Sequence, residues 1–428
     1  MSMNRRDFMR LLGVSGAAAA IPGLNGCATM EGGGAKGQVV VVGGGFSGAT
    51  AAKYIRMWDP DIAVTLVERN PQFISCPMSN LVIGGNRQIA DITRSYDALK
   101  TRWGVKVVQG EVTAIDAASR QVRLADGTTL KFDRLIVAPG IDFMYDQLPG
   151  LNSAAAQERV PHAWKAGAQT RLLRSQLEAM PDGGVYVLGV PKMPYRCPPG
   201  PYERVCQVAH YFKAKKPKSK IIVLDANPDI VSKKGLFMAA WNDFYKGMID
   251  YRTQVEITDV DPGAMTVKTT FESVKGNVLN IVPQQKAGPI ALKAGLANAG
   301  NRWCEVDFLT YESKVAKNVH VLGDSIAASP GMPKSGHMAN QHGKICAAAV
   351  VALMNGQPVN REPLIANTCY SFVSDDEAMH VAAVYAYDNE KKTMAPVKGA
   401  GGVSKARSTL EGQYAAAWAQ NIWADTLG

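Results

Sequence analysis

Apolar and polar positions near the N-terminus form blocks of alternating strand and helix type. Val39–Val42 is a short apolar, β-branched run, which is typical of a buried strand. Ala49–Met57 predicts a helix whose small residues face that strand, and Ala63–Val67 predicts a second strand. A strand, a helix and a second strand in this order favour an α/β fold with a parallel sheet.

Three glycines separate the first strand from the helix. Gly43, Gly45 and Gly48 are spaced as G-x-G-x-x-G, a pattern in which they allow a tight turn, close approach of a pyrophosphate and close helix–strand packing. Free N–H groups at the helix N-terminus also bind phosphates. Glu68 ends the second strand twenty residues after Gly48, where an acid is expected to bind a ribose hydroxyl. The stretch predicts a dinucleotide site, and a purely structural glycine turn is the alternative.

The same reasoning predicts further elements along the chain. Two helices are predicted, at Tyr202–Lys213 and His337–Met354. The predicted strands are Val105–Val108, Gln121–Leu124, Leu135–Ala138, Gly184–Gly189, Ile221–Asp225, Asn318–Asp324 and, in the C-terminal tail, Val381–Tyr387. The tail is also expected to hold a glycine-rich loop at Gly399–Gly402 and a helix that ends at Trp423.

A second dinucleotide motif is expected after the strand Gly184–Gly189, but the chain departs from it. The loop that follows contains Pro191, Pro194, Pro198 and Pro199. Proline has no N–H to offer a pyrophosphate and fixes the backbone. A nicotinamide site here is therefore disfavoured, although the Rossmann-like scaffold continues.

Two later segments resemble the FAD-binding parts of flavoproteins that contain two dinucleotide folds. FDRLIVAPG, which ends in Pro139-Gly140, resembles the turn that closes the first half of their FAD domain. Gly323-Asp324 resembles their second fingerprint, in which the aspartate accepts a hydrogen bond from a ribityl hydroxyl. The N-terminus of the next helix would then point at the flavin ring. Lys334 would stabilise negative charge on the reduced ring, and a surface lysine is the alternative.

Composition and charge narrow the class of protein. The chain has 428 residues, which suggests two or three domains, and a net charge of +10. A mild basic excess favours an anionic substrate or an acidic partner protein. Nucleic acid is not expected as a partner, because no basic stripe is interleaved with aromatic residues. The densest basic run, Lys213–Lys220, is typical of a solvated helix end.

The seven cysteines do not form a local motif. The sequence contains neither C-x-x-C nor C-x-x-C-H. It therefore predicts no metal site, no thioredoxin-type pair and no covalently bound c-type haem on this chain.

Residues 1–30 resemble an export signal. Asn4–Arg10 is similar to a twin-arginine motif, and Leu11–Leu24 is apolar but too short to span a bilayer, so no transmembrane segment is expected. Such export carries folded proteins to the periplasm, where disulfides persist. Cys27 is a candidate for lipidation, and cleavage after Ala28 or in the glycine-rich segment beyond it is the alternative.

Several longer stretches together resemble one family, the flavoprotein subunit of flavocytochrome c sulfide dehydrogenase. They are VVVVGGGFSGATAAKYI, SCPMSNLVIGG, PHAWKAG, RCPPGPYERVCQVA, KPKSKIIVLD, GD followed by MPKSGHMANQHGK, and NTCYS, and they extend from about residue 38 to the C-terminus. The resemblance implies an α/β fold with two Rossmann-like, glutathione-reductase-like domains and a small α+β C-terminal interface domain. The implied division is a signal at 1–30, an FAD domain at 38–150 and 284–360, a degenerate NAD-like domain at 151–283 and the C-terminal domain at 361–428.

The resemblance also assigns roles to individual residues. Cys76 matches the cysteine that carries FAD covalently, and Cys197 and Cys369 match a redox-active disulfide beside the flavin. The alternatives that chemistry alone leaves open are a small buried side chain for Cys76 and a bridge between Cys197 and Cys369 that is only structural. Glu203 would relay a proton or serve as a helix N-terminal charge, whereas Cys206, Cys304 and Cys346 are expected to be buried thiols. The residues expected to contact FAD are Gly43, Gly45, Gly48, Glu68, Arg69, Cys76, Val112, Pro139, Gly140, Gly323, Asp324, Lys334, Ser335 and Trp418, the last of which has core packing as its alternative.

The activity that this resemblance implies is oxidation of sulfide, with electrons passing through FAD to a c-type cytochrome. The haem would lie on a partner subunit, since this chain has no haem motif. A sulfide:quinone reductase shares the chemistry but would need an apolar patch for the membrane. A nicotinamide-dependent reductase is disfavoured by the proline-filled loop. A flavin electron-transfer module with a structural disulfide is the third alternative.

Overall fold

The computed structural model describes residues 36–428, so that the predicted signal at 1–30 and Cys27 lie outside the described residues. The helices are α1 (Phe46–Trp58), α2 (Ser79–Gly84), α3 (Asp97–Thr101), α4 (Ala154–Arg159), α5 (Ala168–Ala179), α6 (Gly200–Lys215), α7 (Lys234–Phe244), α8 (Pro289–Lys293), α9 (Gly336–Met354) and α10 (Thr409–Leu427). The strands are β1 (Gly37–Val42), β2 (Ile62–Glu68), β3 (Phe73–Ile74), β4 (Thr93–Arg94), β5 (Lys106–Gln109), β6 (Val112–Asp116), β7 (Gln121–Leu124), β8 (Thr129–Lys131), β9 (Arg134–Val137), β10 (Ile141–Phe143), β11 (Val185–Val190), β12 (Lys220–Asp225), β13 (Ile249–Thr253), β14 (Ile257–Asp261), β15 (Thr266–Thr269), β16 (Ser273–Lys275), β17 (Val278–Ile281), β18 (Gln285–Ala287), β19 (Val319–Val321), β20 (Leu364–Phe372), β21 (Ala378–Asp388) and β22 (Thr393–Val403).

A five-stranded parallel sheet of order β19-β9-β1-β2-β5 forms the first layer of the core. Its central strand β1 places Val39, Val40 and Val41 entirely out of solvent, as the apolar run predicts. Helices α1 and α9 pack closely on each other beside this sheet. A Cβ on Gly343 of α9 would lie 2.6 Å from the backbone oxygen of Ser47, so only glycine allows this approach.

A second parallel sheet, of order β13-β12-β11-β17, follows in the middle of the chain. The antiparallel strands β14-β15-β16 form a separate small sheet. Strand β10, which precedes the second parallel sheet in the chain, pairs with β18, which follows it. The proline-filled loop connects the end of β11 to the start of α6 at Gly200. It therefore occupies the place where a second dinucleotide-binding turn would lie.

The C-terminal tail forms an antiparallel sheet of order β20-β21-β22 and the helix α10. The expectation of a loop at Gly399–Gly402 is wrong, because these residues belong to β22. Gly401 has φ +153°, and a Cβ there would lie 2.4 Å from the backbone oxygen of Ala382 on β21, which explains why glycine stands within a strand. Helix α10 continues past Trp423 to Leu427, because its end is held by Lys53, whose ammonium donates to the backbone oxygens of Ala424 and Asp425 at 2.9 and 3.0 Å.

The predicted α/β class with two Rossmann-like sheets is confirmed. One strand is shorter than expected: β19 ends at Val321, and Gly323–Ser325 forms a 3₁₀ turn. Gly323 has φ +68°, which a continuous strand does not accommodate. Within residues 36–428, no helix is both long and apolar enough to cross a bilayer.

Candidate functional site

A cavity of about 580 Å³ opens at the carboxyl end of the first parallel sheet. Its wall runs from the β1–α1 turn past the proline-filled loop to strand β20 of the C-terminal sheet. Parallel α/β sheets bind their ligands at this edge. The residues expected to contact FAD that line it are Gly43, Gly45, Glu68, Arg69, Cys76, Val112, Pro139, Gly140, Asp324, Ser335 and Trp418, and the three expected catalytic residues line it as well.

The three glycines of the β1–α1 turn have distinct roles in the structure. Gly43 has φ +98°, and a Cβ there would lie 2.4 Å from the backbone oxygen of Ala138 on the neighbouring strand connection. A Cβ on Gly48 would lie 1.9 Å from the backbone oxygen of Gly43. A Cβ on Gly45 would meet no atom within 4 Å, and this glycine faces the cavity. Two glycines therefore permit the turn and its packing, and the third leaves space for a ligand.

Glu68 ends β2 beside this turn. Its carboxylate accepts hydrogen bonds from the backbone N–H of Gly44 at 2.7 Å and of Asn70 at 2.8 Å. The neighbouring Arg69 pairs with Glu111 at 3.9 Å, and both side chains are largely exposed. A carboxylate at the rim of the cavity suits the expected contact with a ribose hydroxyl.

Asp324 lies in the 3₁₀ turn after β19 and faces the cavity. Burial raises the pKa of its carboxyl, although the positive charges of Arg196 and Lys334 oppose that rise. Among the described residues no group donates a hydrogen bond to this carboxylate. A buried acceptor without a donor fits a hydroxyl-bearing ligand, since buried polar groups are normally paired. The open face of Gly45 and the free acceptor of Asp324 together fit FAD.

Lys334 does not face the cavity as expected. Its side chain is buried, and its ammonium donates to the backbone oxygens of Asp324, at 3.0 Å, and of Ile326. The ammonium also lies 3.8 Å from the centre of the Trp303 ring. Burial lowers its pKa to about 8. Lys334 therefore braces the turn that carries Asp324. The alternative of a surface lysine is wrong, because the side chain is buried, and the effect of its charge on a reduced flavin stays a prediction.

Two other residues expected to contact FAD support the wall of the cavity. A Cβ on Gly323 would lie 2.8 Å from the hydroxyl of Ser47, so this glycine packs its turn against α1. Ser335 caps α9, since its hydroxyl accepts from the backbone N–H of Met338 at 3.1 Å. Both therefore shape the cavity through the elements that they hold in place.

Trp418 lines the cavity from α10. Its ring lies between those of His337 and Tyr370, with centroid distances of 5.8 and 6.0 Å. It is only partly buried and packs against the main core. Its position beside the cavity agrees with the expected contact to the flavin.

Cys76 contacts a residue that the sequence reasoning missed. The guanidinium of Arg196 lies 2.8 Å from the Cys76 sulfur and also donates to the backbone oxygen of Trp164. The backbone N–H of Arg196 donates to the side-chain oxygen of Gln285 at 2.9 Å. The arginine that precedes Cys197 in the proline-filled loop therefore holds the cysteine expected to carry FAD. The sequence does mark Arg196, because this arginine opens the stretch RCPPGPYE.

Cys197 and Cys369 are 172 residues apart in the chain and line the same cavity together with Glu203. These three residues define the thiol chamber. Both cysteines are free thiols in this structure; burial raises the pKa of Cys197, and the neighbouring Cys369 raises it further. Cys197 has φ +57° and its N–H donates to the backbone oxygen of Lys334 at 2.7 Å. The fold thus brings the predicted pair together, and the bond between them stays a prediction.

Glu203 lies in the first turn of α6 and connects that helix to two other elements. Its carboxylate accepts from the backbone N–H of Phe372 at 2.9 Å and from the Asn80 amide at 2.7 Å. Burial raises its pKa above the ordinary value, although these two hydrogen bonds oppose the rise. A carboxyl of this kind can hold a proton next to the two thiols, as the relay role requires.

The remaining described cysteines lie away from the cavity. Cys206, Cys304 and Cys346 are buried, as expected. Cys206 accepts a hydrogen bond from the Trp241 indole at 3.2 Å, and burial raises the pKa of its thiol. None of the three lines the cavity, as expected for buried thiols of the core.

Lys233 and Asn80 were not singled out from the sequence, although both contact members of the thiol chamber. Lys233 has φ +57° and donates to the backbone oxygen of Cys369. Nothing in its sequence neighbourhood predicts this contact, because it depends on packing against the C-terminal sheet. Asn80, in SCPMSN, belongs to a family motif but carried no assigned role.

Three family models match successive parts of the chain. Residues 37–179 match the pyridine nucleotide-disulphide oxidoreductases. Residues 170–283 match the central part of the sulfide dehydrogenase [flavocytochrome c] flavoprotein chain, and residues 361–427 match the flavin-binding part of flavocytochrome c sulphide dehydrogenase.

Individual proteins agree with these models. The sulfide dehydrogenase [flavocytochrome c] flavoprotein chain of Chlorobaculum thiosulfatiphilum is 62% identical over 45 residues, which are 10% of this chain and 94% of that sequence. The sulfide-quinone reductase of Aquifex aeolicus is 22% identical over 370 residues, 81% of this chain and 83% of the relative. A crystal structure of the sulfide:quinone oxidoreductase from Aquifex aeolicus superposes with a TM-score of 0.74 at 18% identity and covers 91% of both chains. At that identity the superposition shows a shared fold.

Proposed function

The chain belongs to the flavocytochrome c sulfide dehydrogenase flavoproteins, and on that basis we propose that it oxidises sulfide with FAD as its cofactor. The observation that supports this most strongly is the meeting of two thiols and a carboxyl, Cys197, Cys369 and Glu203, in one wall of a cavity that fits FAD. Neither a nicotinamide turn nor a local cysteine motif supplies a competing chemistry in this sequence.

The residues that would hold FAD are those of the cavity described above. Gly45 leaves the space for the pyrophosphate, Glu68 and Asp324 accept from hydroxyls, and Cys76 would form the covalent thioether. Bound FAD would take up two electrons at once and release them one at a time. The residues of the thiol chamber would carry out the sulfur chemistry beside it.

The sulfur step starts from a Cys197–Cys369 disulfide. Hydrosulfide attacks one sulfur, a new S–S bond forms, the disulfide bond breaks, and the other cysteine leaves as a thiolate. The products are one cysteine persulfide and one thiolate, so that atoms and charge balance without an external oxidant. Glu203, whose buried carboxyl retains a proton more readily than an exposed one, is placed to hold the proton exchanged with the sulfur groups.

The electron acceptor that we propose is a c-type cytochrome on a partner subunit. The chain itself has no C-x-x-C-H haem motif, and its net charge of +10 favours an acidic partner. The twin-arginine-like segment would place the complex in the periplasm. A quinone is the second candidate acceptor, since the Aquifex aeolicus sulfide:quinone oxidoreductase shares the fold over 91% of both chains. Parallel assays with cytochrome c and with a soluble quinone compare the two directly.

The test of this function uses Cys197→Ser, with Cys304→Ser as the matched control because Cys304 is buried outside the cavity. We expect the first variant to retain bound FAD but lose sulfide-dependent bleaching of the flavin, and the control to behave as the wild type. Full sulfide oxidation by Cys197→Ser with FAD still bound would contradict the proposal.

A further inference from the structure

The two cysteines of the thiol chamber have unequal surroundings. Cys369 lies in β20, and the Asn367 amide lies 3.4 Å from its sulfur. For Cys197, no described group donates a hydrogen bond to the sulfur, and burial raises the pKa of its thiol far above the ordinary range. Burial also raises the pKa of the Cys369 thiol, but Lys233 and the hydrogen bonds of Asn367 and Ser335 oppose that rise.

Lys233 opposes the rise in pKa of both thiols, and for Cys369 it is the largest opposing influence, whereas for Cys197 Arg196 comes before it. Lys233 immediately precedes α7, in the left-handed conformation with φ +57°, and its side chain turns into the interior. Its ammonium donates to the backbone oxygen of Cys369 and to the hydroxyl of Ser371, both at 2.9 Å. A buried ammonium is costly without a counter-charge. Both hydrogen bonds go to uncharged oxygens of β20, so the counter-charge has to come from the anionic groups of the thiol chamber.

The charges that face Lys233 come from four different elements. They are the thiols of Cys369 and Cys197, and the carboxylates of Glu203 on α6 and Glu411 on α10. Burial lowers the pKa of Lys233 to about 8, so it is still charged at neutral pH. The opposite charges act against that lowering. Arg196 also favours the Cys197 anion by its charge, but its guanidinium donates to the Cys76 sulfur and to the backbone oxygen of Trp164 and makes no hydrogen bond to the Cys197 sulfur.

We propose that Lys233 is a positioning residue that stabilises the Cys369 sulfur as the anion when the disulfide opens. Hydrosulfide then attacks the Cys197 sulfur. The Cys197–Cys369 bond breaks, a Cys197 persulfide forms, and Cys369 leaves with the electron pair as a thiolate. A leaving thiol departs faster when its anion is stabilised, which gives the reaction its direction. This inference rests on the proposed sulfide oxidation and adds which sulfur receives the substrate.

The first experiment measures the Cys369 anion without substrate. Lys233→Met removes the charge, Lys233→Arg retains it, and Lys234→Met is the matched control, because Lys234 is the next residue but is exposed. The reduced proteins are alkylated with iodoacetamide from pH 6 to 10 and the modified cysteines are located by peptide mass. We expect Lys233→Met to slow Cys369 alkylation at pH 7 by about tenfold, which corresponds to about one pKa unit. The difference should shrink as the pH rises through about 8, where wild-type Lys233 loses its proton.

The control and the conservative variant decide whether the charge is responsible. Lys234→Met should match the wild type, and Lys233→Arg should recover most of the alkylation rate. Equal alkylation of Cys369 in the wild type and in Lys233→Met would overturn the proposal. Thermal unfolding and FAD content of each variant verify that it is folded.

The second experiment locates the transferred sulfur. The oxidised protein receives one equivalent of sulfide, is alkylated at once and is digested. We expect the additional sulfur on Cys197 in the wild type and on both cysteines in Lys233→Met. An additional sulfur on Cys369 in the wild type would overturn the proposal. Absence of additional sulfur from both cysteines would instead contradict the proposed function, and the alkylation rates would still decide the role of Lys233.

Discussion

Two substitutions in the β1–α1 turn, Gly48→Ala and Gly45→Ala, test the roles of its glycines separately. The added methyl group is the same, but its surroundings differ. At Gly48 the new Cβ would lie 1.9 Å from the backbone oxygen of Gly43 and 3.2 Å from the Cβ of Ala138. At Gly45 it would meet no atom within 4 Å, and the φ of −71° suits any L-residue.

The two changes should differ in how far they alter the stability of the protein. Overpacking of a core typically costs about 1–3 kcal/mol, and a backbone oxygen cannot swing aside as a side chain does, so the upper end applies to Gly48→Ala. The better helix propensity of alanine returns at most about 1 kcal/mol, which leaves a net loss of about 2 kcal/mol. Gly45→Ala should instead change the stability of the apoprotein by less than about 1 kcal/mol, because the restriction of the unfolded chain by alanine is offset by the poorer N-cap that alanine makes at the start of α1.

The two variants should also differ in their affinity for FAD. The methyl group at Gly45 projects into the cavity, so we expect FAD affinity to fall at least about tenfold, or ~1.4 kcal/mol, with the fold intact. Both variants are made in a Cys76→Ser background, in which FAD is exchangeable. Thermal unfolding of the apoproteins and FAD titration by flavin fluorescence give the two quantities. Unchanged stability of Gly48→Ala, or wild-type FAD affinity of Gly45→Ala, would refute this account of the turn.

Three further predictions concern the tether, a buried lysine and the C-terminal helix. In the wild type the yellow colour should stay with the acid-precipitated polypeptide, whereas Cys76→Ser should release all its FAD into the supernatant; equal release by both proteins would contradict a thioether at Cys76. Burial lowers the pKa of Lys334 from 10.5 to about 8, so that the unfolded state binds more protons between those values and folding stability rises with pH there. Relative to Lys334→Met, the wild type should therefore gain on the order of 3 kcal/mol between pH 8 and 10.5, measured by urea unfolding, and a flat difference would show that the ammonium is not desolvated. The Asp425 carboxylate accepts from Tyr54 at 2.5 Å and from Asn340 at 2.7 Å, and it pairs with Lys344 at 2.8 Å. Asp425→Ala should cost about 1–3 kcal/mol at pH 7. Burial tends to raise the pKa of Asp425, but these hydrogen bonds lower it below 3.8, so the loss should shrink as the pH falls below that value, and a loss that is independent of pH would point to packing alone.

Much of the first domain could be predicted from local sequence. Val39–Val42 forms most of β1, and Gly43 and Gly48 have the turn and packing roles that their spacing indicates. These features depend on a few neighbouring residues and on backbone sterics. The proline-filled loop was also readable, since a missing N–H is a property of the residue itself.

Two features differ from what the local pattern alone indicates. The glycines of Gly399–Gly402 are typical of a loop, yet they lie in β22. Gly401 and Gly402 pair with β21, and Gly401 is needed because that strand approaches too closely for a side chain. Lys334 follows the pattern of a flavin-facing lysine, but its ammonium reaches the backbone of the turn that carries Asp324. The residues adjacent in sequence predict neither the approach of β21 to Gly401 nor the hydrogen bond from Lys334.

The sequence by itself determined the parallel sheet, the dinucleotide turn and the family motifs, because these follow from periodicity, from glycine and proline geometry and from contiguous residues. Only the tertiary structure decided which side chains meet at the thiol chamber and its cavity. Cys76 and Arg196 are 120 residues apart, and Lys233 and Cys369 are 136 apart, yet each pair is in contact. Such contacts depend on how segments from distant parts of the chain pack together in the fold. The surroundings of the two cysteines therefore include a charge, that of Lys233, which the sequence neighbours of neither cysteine supply.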